Sequence, residues 1–415
     1  MSSHEFTGKH GPSLANPFAL RDRALLAALA RALRGRLEGR LTIEMPSGAR
    51  RTLGDSGDHA AVSLRDFRAV FRCMRRGTIG FAEAALRGEL TSPDFEGLFG
   101  FFIDNRKRLE RAGQQLFRVR RRDIAFHASR ENTRSGSRDN IAAHYDLGND
   151  FYAHWLDPGM AYSSGLYLTP DATLDDAQDA KYAAVFDALS LSPGQSVLEI
   201  GCGWGGFAEA AVARGARLTA ITVSERQLAW TRDRLGLAQD VEPATATPDV
   251  RFCDYRDVEG TFDRIASIEM IEAVGAAHWQ TYFDTIAARL APDGTAAIQA
   301  ITIREESFDN YAARPDFIQR YIFPGGMLPT RSHMRHHAAQ AGLSFEVCQT
   351  FGGDYALTLR QWRDRFNAQW PRIAALGFDE RFKLMWNYYF AYCAAGFDRG
   401  VIDVGIYRFR RPGVA

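Results

Sequence analysis

The sequence predicts an α/β fold in which a parallel sheet carries helices on both faces, with a smaller basic α+β domain before it. Three observations lead to this prediction. Strand and helix patterns alternate from about residue 180, a glycine-rich turn joins one strand to the next helix, and the first 130 residues are rich in arginine. Alternation of this kind is typical of parallel sheets, because parallel strands need a long crossover connection, usually a helix.

The N-terminal part is predicted to be a domain of its own. Residues 1–19 lack periodicity and are expected to be disordered, whereas 20–125 form the basic domain. Over 20–37, leucines and alanines recur at helical spacing between arginines, which predicts a basic amphipathic helix. Two strand patterns and then two helical patterns follow, in LTIEMP, ARRTLG, SLRDFRAVFRCMRRG and FAEAALRG. Polar and small residues at 126–139 predict a linker to a second domain at 140–415.

Five short apolar runs predict the strands of the second domain, and helical patterns lie between most of them. The runs are SVLEI, RLTAITV, VRFCDY, DRIASI and TAAIQAITI. The last hundred residues are predicted to be helical and aromatic. One helix face within them is expected to carry Phe382, Trp386, Tyr389, Cys393 and Phe397, which recur every three or four positions.

Composition excludes several classes of protein. The chain has 415 residues, 46% hydrophobic and 24% charged, which is typical of a soluble globular protein with two or more domains. No run approaches the ~20 apolar residues that span a bilayer, and the N-terminus lacks the apolar stretch of a secretory signal. The five cysteines form no C-x-x-C pair, which argues against a zinc ribbon or a disulfide framework and fits a reducing cytosol.

The charges are distributed unevenly along the chain. Residues 1–130 hold 24 basic and 14 acidic side chains, a net of +10, and the remainder holds 27 and 36, a net of −9. A basic module joined to an acidic one predicts contact with a polyanion, either nucleic acid or an anionic membrane surface. Arginines that merely solubilise the surface are the alternative. The chain lacks a recognisable RNA-reading module, which argues against nucleic acid.

The strand SVLEI runs directly into a loop that carries Gly201, Gly203 and Gly205 before a helix begins. Glycines in this place allow a tight turn and close approach of the backbone to a nucleotide. The G-x-G-x-G spacing differs from the dinucleotide pattern, and the Lys of a P-loop is absent. Glu199, two residues before the loop, is instead typical of S-adenosylmethionine (SAM) sites, where a carboxylate can accept from the ammonium of the methionine part. A glycine turn without a ligand is the alternative.

The second strand of the sheet departs from the common SAM pattern. RLTAITV ends without the acidic residue that usually binds the ribose hydroxyls. It is followed by Thr222, Ser224 and Gln227, whose side chains can supply those polar contacts instead.

These features are shared with a known family. The chain resembles the cyclopropane fatty acid synthases and their mycolic acid methyltransferase relatives, and the likeness runs in order from about 140 to 410. It rests on NIAAHYDLGNDFYAHWLDPGMAYSSG, VLEIGCGWGG, ITVSERQ, FDRIASIEMIEAVG, YIFPGGMLP, FGGDYALTL and YYFAYCAAGF. The resemblance implies a Rossmann-like SAM-dependent methyltransferase sheet with helical lipid-binding additions. It also implies that residues 20–110 are the basic domain of the longer bacterial members.

The resemblance implies transfer of a one-carbon unit from SAM to a cis double bond of an acyl chain in a membrane phospholipid. Tyr162 and Ser163 would then contact SAM. The loop Gly201, Cys202, Gly203 and Gly205 would hold its methionine part together with Glu199. Thr222, Ser224 and Gln227 would lie on its ribose side, and Tyr255 and Arg256 would flank the adenine.

The resemblance also implies a carbocation that loses a proton to a base, which in the synthases is bound bicarbonate. The corresponding positions here are Ser164, Glu272, Gln299 and Tyr355, and Cys393 is also present. Glu272 and Tyr355 match the family pattern, whereas Ser164 replaces a cysteine and Gln299 a histidine. A glutamine has no useful basicity, so Glu272 is expected to anchor bicarbonate or to act as the base itself. Cys393 is expected to matter more for packing than for chemistry.

Several readings of the function remain open at this point. The altered base site makes methylation without ring closure an alternative, which would give a methyl- or methylene-branched chain. A small soluble acceptor and a non-catalytic lipid-binding protein are further alternatives. A lipid substrate predicts a cytoplasmic protein bound peripherally to the inner face of the membrane through its basic domain. The candidate contacts are the helix at 20–37 and the segment RVRRR. Members of this type often dimerise, which leaves a homodimer open.

Overall fold

The computed structural model describes residues 17–33, 37–113, 130, 132–133, 136, 147–237 and 248–411. Most of the segment expected to be disordered, the RVRRR segment and most of the expected linker lie outside the described residues. No helix in the described ranges is both long enough and apolar enough to cross a bilayer.

A small sheet and four helices form the N-terminal module. The helices are α1 (Pro17–Ala32), α2 (Arg68–Leu86), α3 (Phe95–Asp104) and α4 (Arg106–Gly113). The strands are β1 (Arg40–Glu44), β2 (Arg50–Leu53), β3 (His59–Leu64) and β4 (Leu90–Thr91), in the order β2-β1-β3-β4. The first helix and the first two strands are therefore confirmed.

The expected helical pattern beginning at Ser63 was wrong at its start, because Ser63 lies in β3 and α2 begins at Arg68. Strand β3 buries only the small or short side chains of Ala60 and Val62. Its alternation is therefore too weak to be separated from the helical pattern that follows it.

The large sheet has seven strands among the described residues, in the order β10-β11-β9-β8-β5-β6-β7. Five of them are β5 (Ser196–Ile200), β6 (Arg217–Thr222), β7 (Asp249–Phe252), β8 (Phe262–Ile268) and β9 (Leu290–Ile303). These five pair in parallel, in the order expected of a doubly wound sheet. All five strands that the sequence predicted are confirmed.

Two further strands, β10 (Ser344–Thr350) and β11 (Ile402–Arg410), contradict the expectation that the last hundred residues are wholly helical. Strand β11 is inserted between β9 and β10 and is antiparallel to both. Strand β10 lies at the edge and is mostly exposed, so it carries no apolar stripe by which it could be recognised.

Ten further helices cover the large sheet or extend from it in the described ranges. They are α5 (Asn149–Ala153), α6 (Leu174–Leu189), α7 (Gly206–Ala213), α8 (Glu225–Arg234), α9 (Trp279–Arg289), α10 (Glu305–Ala313), α11 (Arg331–Gln340), α12 (Gly352–Ala368), α13 (Trp370–Ala375) and α14 (Glu380–Asp398). A short π-helix spans Ile318–Ile322.

Helix α14 forms the centre of an aromatic core. Its predicted aromatic face is confirmed, because Trp386 packs with ring centroids 5.0 Å from Phe151, 5.4 Å from Trp155 and 5.5 Å from Tyr389. Aromatic pairs at these distances add stabilisation beyond the area that they bury. This core joins α14 to the segment just before the sheet.

The N-terminal module is packed against the large domain through α14 and its neighbours. The Phe99 ring lies 4.9 Å from that of Tyr388, and the Tyr321 hydroxyl donates to Glu83 at 2.8 Å. Glu96 accepts from the guanidinium groups of Arg360 and Arg363. The contact therefore combines apolar packing with ion pairs, and it reaches the π-helix that carries Tyr321.

We expect Trp386→Ala to lower the free energy of unfolding by about 3–5 kcal/mol, because it leaves a large cavity in the aromatic core. Leu384→Ala is the matched control on the same helix, since Leu384 is 45% exposed whereas Trp386 is 1% exposed. The control is expected to change stability by less than about 0.5 kcal/mol. Urea unfolding followed by circular dichroism measures both values, and equal losses would contradict the packing described for α14.

Candidate functional site

The predicted site residues gather at the carboxyl ends of the parallel strands, which is where open α/β sheets bind ligands. The glycine loop leaves β5 with left-handed backbone at Gly201 (φ 84°), Gly203 (φ 54°) and Gly205 (φ 84°). L-residues rarely adopt these angles. A Cβ at Gly201 would also lie 2.9 Å from the Met270 side chain. The loop is therefore both conformationally and sterically dependent on glycine.

Glu199 lies at the end of β5 and is 3% exposed. Burial raises the pKa of its carboxyl well above the usual range, and the nearby Lys181 opposes that rise. Its Oε2 has no hydrogen-bond partner within the described part of the chain. A buried carboxylate oxygen without a partner is costly. The position therefore fits a ligand that brings an ammonium group, as the sequence predicted.

The thiol of Cys202 is also buried in this loop, and it points at protein atoms. Its Sγ lies 3.8 Å from the Gly203 carbonyl and 3.9 Å from the Thr231 hydroxyl. Burial raises the pKa of Cys202, which keeps it a neutral thiol. Any contact of this residue with a ligand would come from its backbone.

Polar side chains after β6 are paired with one another. The Thr222 hydroxyl donates to Gln227 Oε1 at 2.9 Å, and the Ser224 hydroxyl accepts from the Gln227 N–H as the cap of α8. Thr222 and Gln227 are both buried. The structure thus brings the three predicted ribose-side residues together at one strand end.

Tyr255 and Arg256 lie in a short 3-10 helix directly after β7. Asp254 fixes the Arg256 guanidinium with two hydrogen bonds of 2.8 and 2.7 Å. Burial raises the pKa of Tyr255 to about 12, and its hydroxyl has no partner within the residues described. The two residues therefore lie at the strand end next to that of β6.

Tyr162 and Ser163 approach the site from the segment before α6. The Tyr162 hydroxyl donates to that of Tyr389 at 3.2 Å, and the Tyr162 ring lies 5.3 Å from that of Trp362. The Ser163 hydroxyl accepts from Lys181 Nζ at 2.7 Å. The segment is thereby held at both of these positions.

The centre of the predicted base site is occupied by a residue that the sequence analysis did not select, Glu269. Its Oε1 accepts from the Ser164 N–H at 2.9 Å and from Gln299 Nε2 at 2.8 Å. Its Oε2 accepts from the Tyr355 hydroxyl at 2.6 Å. Three predicted site residues therefore converge on one carboxylate that belongs to the chain itself.

The backbone of Glu269 is strained. Its φ is +50°, one of three such values at non-glycine positions in the described ranges. This conformation costs about 1–2 kcal/mol for an L-residue, and such strain is concentrated at functional sites. The Glu269 N–H donates to the Gln299 carbonyl at 2.8 Å, which helps to hold the turn.

Desolvation raises the pKa of Glu269, and the hydrogen bonds from Tyr355 and Ser164 oppose the rise. The side chain is only half-buried. A carboxylate with a raised pKa and an accessible face is suited to accept a proton.

Glu272, the residue predicted to anchor the base site, makes different contacts. Its Oε1 accepts from the Ile301 N–H at 2.5 Å, and its carbonyl accepts from the Met327 N–H at 2.8 Å. It therefore joins the end of β9 to the FPGGMLP loop. Desolvation and the neighbouring Glu269 raise the pKa of Glu272 to about 8. These hydrogen bonds do not reach Ser164, Gln299 or Tyr355.

The remaining predicted residues are placed as follows. Gln299 is fully buried on β9, and its amide donates to Glu269. The Ser164 hydroxyl donates to the Gly165 carbonyl at 2.8 Å, so only its backbone serves Glu269. Cys393 lies on the aromatic face of α14, where burial raises the pKa of its thiol.

A signal for Glu269 was present in the sequence. The segment IEMIEAVG holds two acidic residues, and Glu269 is the one that directly follows the end of the predicted strand. A polar residue at the carboxyl end of a parallel strand faces the ligand crevice. The family pattern drew attention to Glu272 instead.

Comparison with known proteins gives the site its context. A sequence profile described as "Mycolic acid cyclopropane synthetase" matches residues 132–406. Tuberculostearic acid methyltransferase UfaA1 of Mycobacterium tuberculosis is 36% identical over 409 residues, which cover 94% of each chain. Cyclopropane-fatty-acyl-phospholipid synthase of Escherichia coli is 32% identical over 337 residues, covering 79% of this chain and 81% of the relative.

Solved structures agree with the sequence comparisons. The cyclopropane synthase MmaA2 of Mycobacterium tuberculosis superposes with a TM-score of 0.60 at 30% identity, over 66% of this chain and 97% of that one. The mycolic acid cyclopropane synthase CmaA1 was solved with S-adenosylhomocysteine (SAH) and CTAB. It superposes with a TM-score of 0.59 at 28% identity, over the same shares of the two chains.

We expect Glu269→Gly to be more stable than Glu269→Ala by about 1 kcal/mol, because only glycine adopts the φ of +50° without strain. Both variants lose the same side-chain hydrogen bonds. The control pair is Glu272→Gly and Glu272→Ala, in a 3-10 helix, where alanine is expected to be the more stable of the two. Urea unfolding midpoints measure the differences, and the same order at both positions would contradict backbone strain at Glu269.

Proposed function

Because the chain belongs to the mycolic acid cyclopropane synthetase family and is a SAM-dependent methyltransferase, we propose that it methylates the cis double bond of unsaturated acyl chains in phospholipids. We further propose that the product is a methyl- or methylene-branched chain without ring closure. The observation that carries this proposal is the carboxylate of Glu269 at the base site.

The residues at the strand ends would hold the cofactor. SAM, when bound, supplies a methyl group activated by its sulfonium. Glu199 would accept from the ammonium of its methionine part, and the backbone of the loop Gly201–Gly205 would hold that part. Thr222, Ser224 and Gln227 would contact the ribose. Tyr255 and Arg256, the latter held by Asp254, would contact the adenine.

Glu269 acts as the general base. Attack of the double bond on the methyl carbon would form a carbon–carbon bond while the carbon–sulfur bond breaks, its electron pair staying on the sulfur of the SAH that is released, and the acyl chain would be left as a cation. Glu269 takes the proton that this cation loses, and the electrons of the broken C–H bond form a new double bond. Tyr355, Gln299 and the Ser164 N–H hold the carboxylate in place for this step. Bicarbonate is therefore not required.

Aromatic side chains stabilise the cation without reacting with it. Tyr355 stacks on Phe397 at 4.4 Å and lies 6.0 Å from Trp362, which in turn packs against Tyr162. Desolvated aromatic faces contribute about 0.5–2 kcal/mol each to the stabilisation of a nearby cation.

The fixed position of the base favours a branched product. A carboxylate on the polypeptide removes a proton only from the carbon that faces it, whereas a bound ion is placed by a different set of contacts. The relative that covers 94% of this chain is named a tuberculostearic acid methyltransferase. Ring closure is the second candidate, favoured by the relative named cyclopropane-fatty-acyl-phospholipid synthase.

We expect Glu269→Gln to lower the rate about 10²–10⁴-fold, because an amide keeps the size of the side chain but cannot accept the proton. SAH release on vesicles of unsaturated phospholipid gives the rate, and mass spectrometry with NMR of the acyl chains gives the product. Glu272→Gln is the matched control. It retains an acceptor for the Ile301 N–H and is expected to lose less than about tenfold of the rate.

Each part of this proposal has its own contrary result. Cyclopropane protons as the only NMR product signal would contradict the branched product. Equal losses in the two glutamine variants would remove Glu269 from the role of base. Activity on small amines but not on vesicles would favour a soluble acceptor, and SAM binding without SAH formation on any lipid would favour a lipid-binding protein. Recovery of the activity of Glu269→Ala by added formate or bicarbonate would support the assignment of Glu269 as the general base.

The N-terminal module docks the enzyme on the cytoplasmic face of an anionic membrane in this proposal. Apolar side chains project from its basic surface, and the exposed ones are Leu20, Leu25 and Leu29 on α1 and Phe71 and Met74 on α2. Each Lys or Arg near an anionic surface contributes about 1 kcal/mol, which salt screens. The link from Glu83 on α2 to Tyr321 connects this module to the π-helix of the large domain.

We expect Phe71→Ser combined with Met74→Ser to weaken binding to phosphatidylglycerol-containing vesicles at least about tenfold, because two apolar contacts with the bilayer are lost. Leu376→Ser combined with Leu384→Ser is the control. Both residues are apolar and 45% exposed, but they belong to the large domain and not to the N-terminal module. Co-sedimentation at low and high salt measures the binding. Equal weakening by the control pair would remove this role from α2.

A further inference from the structure

Lys181 on α6 is a fully buried lysine that the proposed reaction does not use. None of its surface is exposed, and its ammonium donates to the Ser163 hydroxyl at 2.7 Å. Lysine is rarely buried to this extent, because removing its charge from water is expensive. The interactions of this buried ammonium with its neighbours must therefore offset the cost of burying it.

Helix α6 fixes the segment that bears the backbone donor of the base. One turn before Lys181, Gln178 Nε2 donates to the Ser163 carbonyl at 2.9 Å. Lys181 holds the hydroxyl of the same residue, and the next N–H along the chain, that of Ser164, donates to Glu269. Two side chains of α6 therefore set the position of the peptide that contacts Glu269.

Acidic groups from three other elements face Lys181. Glu269 follows β8, Asp157 follows α5 and Glu199 ends β5, and all three raise the pKa of Lys181 against the effect of burial. Burial is the larger effect and lowers the pKa of Lys181 to about 8. The ammonium in turn lowers the pKa of each of these carboxyls. The buried ammonium of Lys181 therefore interacts electrostatically with two carboxyls, those of Glu269, the proposed base, and Glu199, the proposed acceptor for the ammonium of SAM.

We propose that Lys181 is a positioning residue that couples the cofactor side of the site to its base. It does so by fixing the Ser163–Ser164 segment and by holding positive charge between Glu199 and Glu269. The inference rests on the proposed function in its assignment of Glu269 as base. The hydrogen bonds from Lys181 to Ser163 and from Ser164 to Glu269 carry it.

The coupling predicts a particular pH dependence. The active form of the base is the carboxylate, so the rate falls as the pH drops through the pKa of Glu269. Without the ammonium of Lys181, that pKa rises further, and the fall in rate moves to higher pH. The other groups whose charge or hydrogen bonding bears on Glu269 all remain in a Lys181 variant; they are Tyr355, the Ser164 N–H, Gln299, Glu272 and Tyr389.

The test compares Lys181→Met and Lys181→Arg in the full chain. We expect Lys181→Met to lower kcat at least about tenfold, to weaken SAH binding, and to move the acid side of the pH–rate profile up by about one pH unit. Lys181→Arg keeps the charge, so its profile is expected to stay close to that of the wild type although its rate falls. Lys383→Met is the matched control, because Lys383 lies over Trp370 on α14, away from the strand ends.

A second variant keeps the proposal falsifiable where Lys181→Met does not fold. Ser163→Ala removes the link between Lys181 and the segment but leaves the cation in place. It is expected to weaken SAH binding without moving the pH profile. The proposal would be overturned if Lys181→Met bound SAH as tightly as the wild type and kept the wild-type pH–rate profile. It would also be overturned if Ser163→Ala kept both the wild-type SAH affinity and the wild-type rate. Calorimetry with SAH needs no turnover, so a wild-type enzyme inactive on lipid would refute the proposed function and still test this link.

Discussion

The carboxylate of Glu269 and its three donors are the interaction on which the rest of the site depends. A desolvated negative charge is stable only where hydrogen bonds replace the lost water. Here the donors come from the segment before α6, from β9 and from α12, so elements far apart in the chain must all be in place. The unfavourable backbone angle of Glu269 is retained because these contacts over-determine it.

The same carboxylate gives a reason for the departures from the family pattern. A histidine and a cysteine at positions 299 and 164 would suit a site built around a separate ion. With a glutamate side chain already present, an uncharged donor such as Gln299 satisfies it without adding charge. Ser164 needs to supply only its N–H, because its hydroxyl bonds to the next carbonyl along the chain. Positions 164 and 299 are therefore linked physically through Glu269.

The sequence predicted the parallel strands and the glycine loop well, because apolar periodicity and left-handed turns are local properties. It failed where the deciding contact is distant in the chain. Strand β10 carries no apolar stripe, since it is exposed at the sheet edge. Strand β11 is defined by its pairing with β9 and β10, which are distant from it in the sequence. Gln299 was singled out from the sequence, but its partner Glu269 was not, because the family pattern pointed to Glu272 instead. Lys181 was missed because its burial follows only from tertiary packing.

The insertion of β11 between β9 and β10 has a consequence for how the enzyme is made. Gln299 is paired across the sheet with Ile406, more than a hundred positions later. During translation, β9 therefore leaves the ribosome long before the strand that completes its hydrogen bonding. Until then, β9 presents an unpaired apolar edge of the kind that aggregates. Such late, long-range closure is slow, so this edge of β9 stays open to wrong pairing until the last strand arrives.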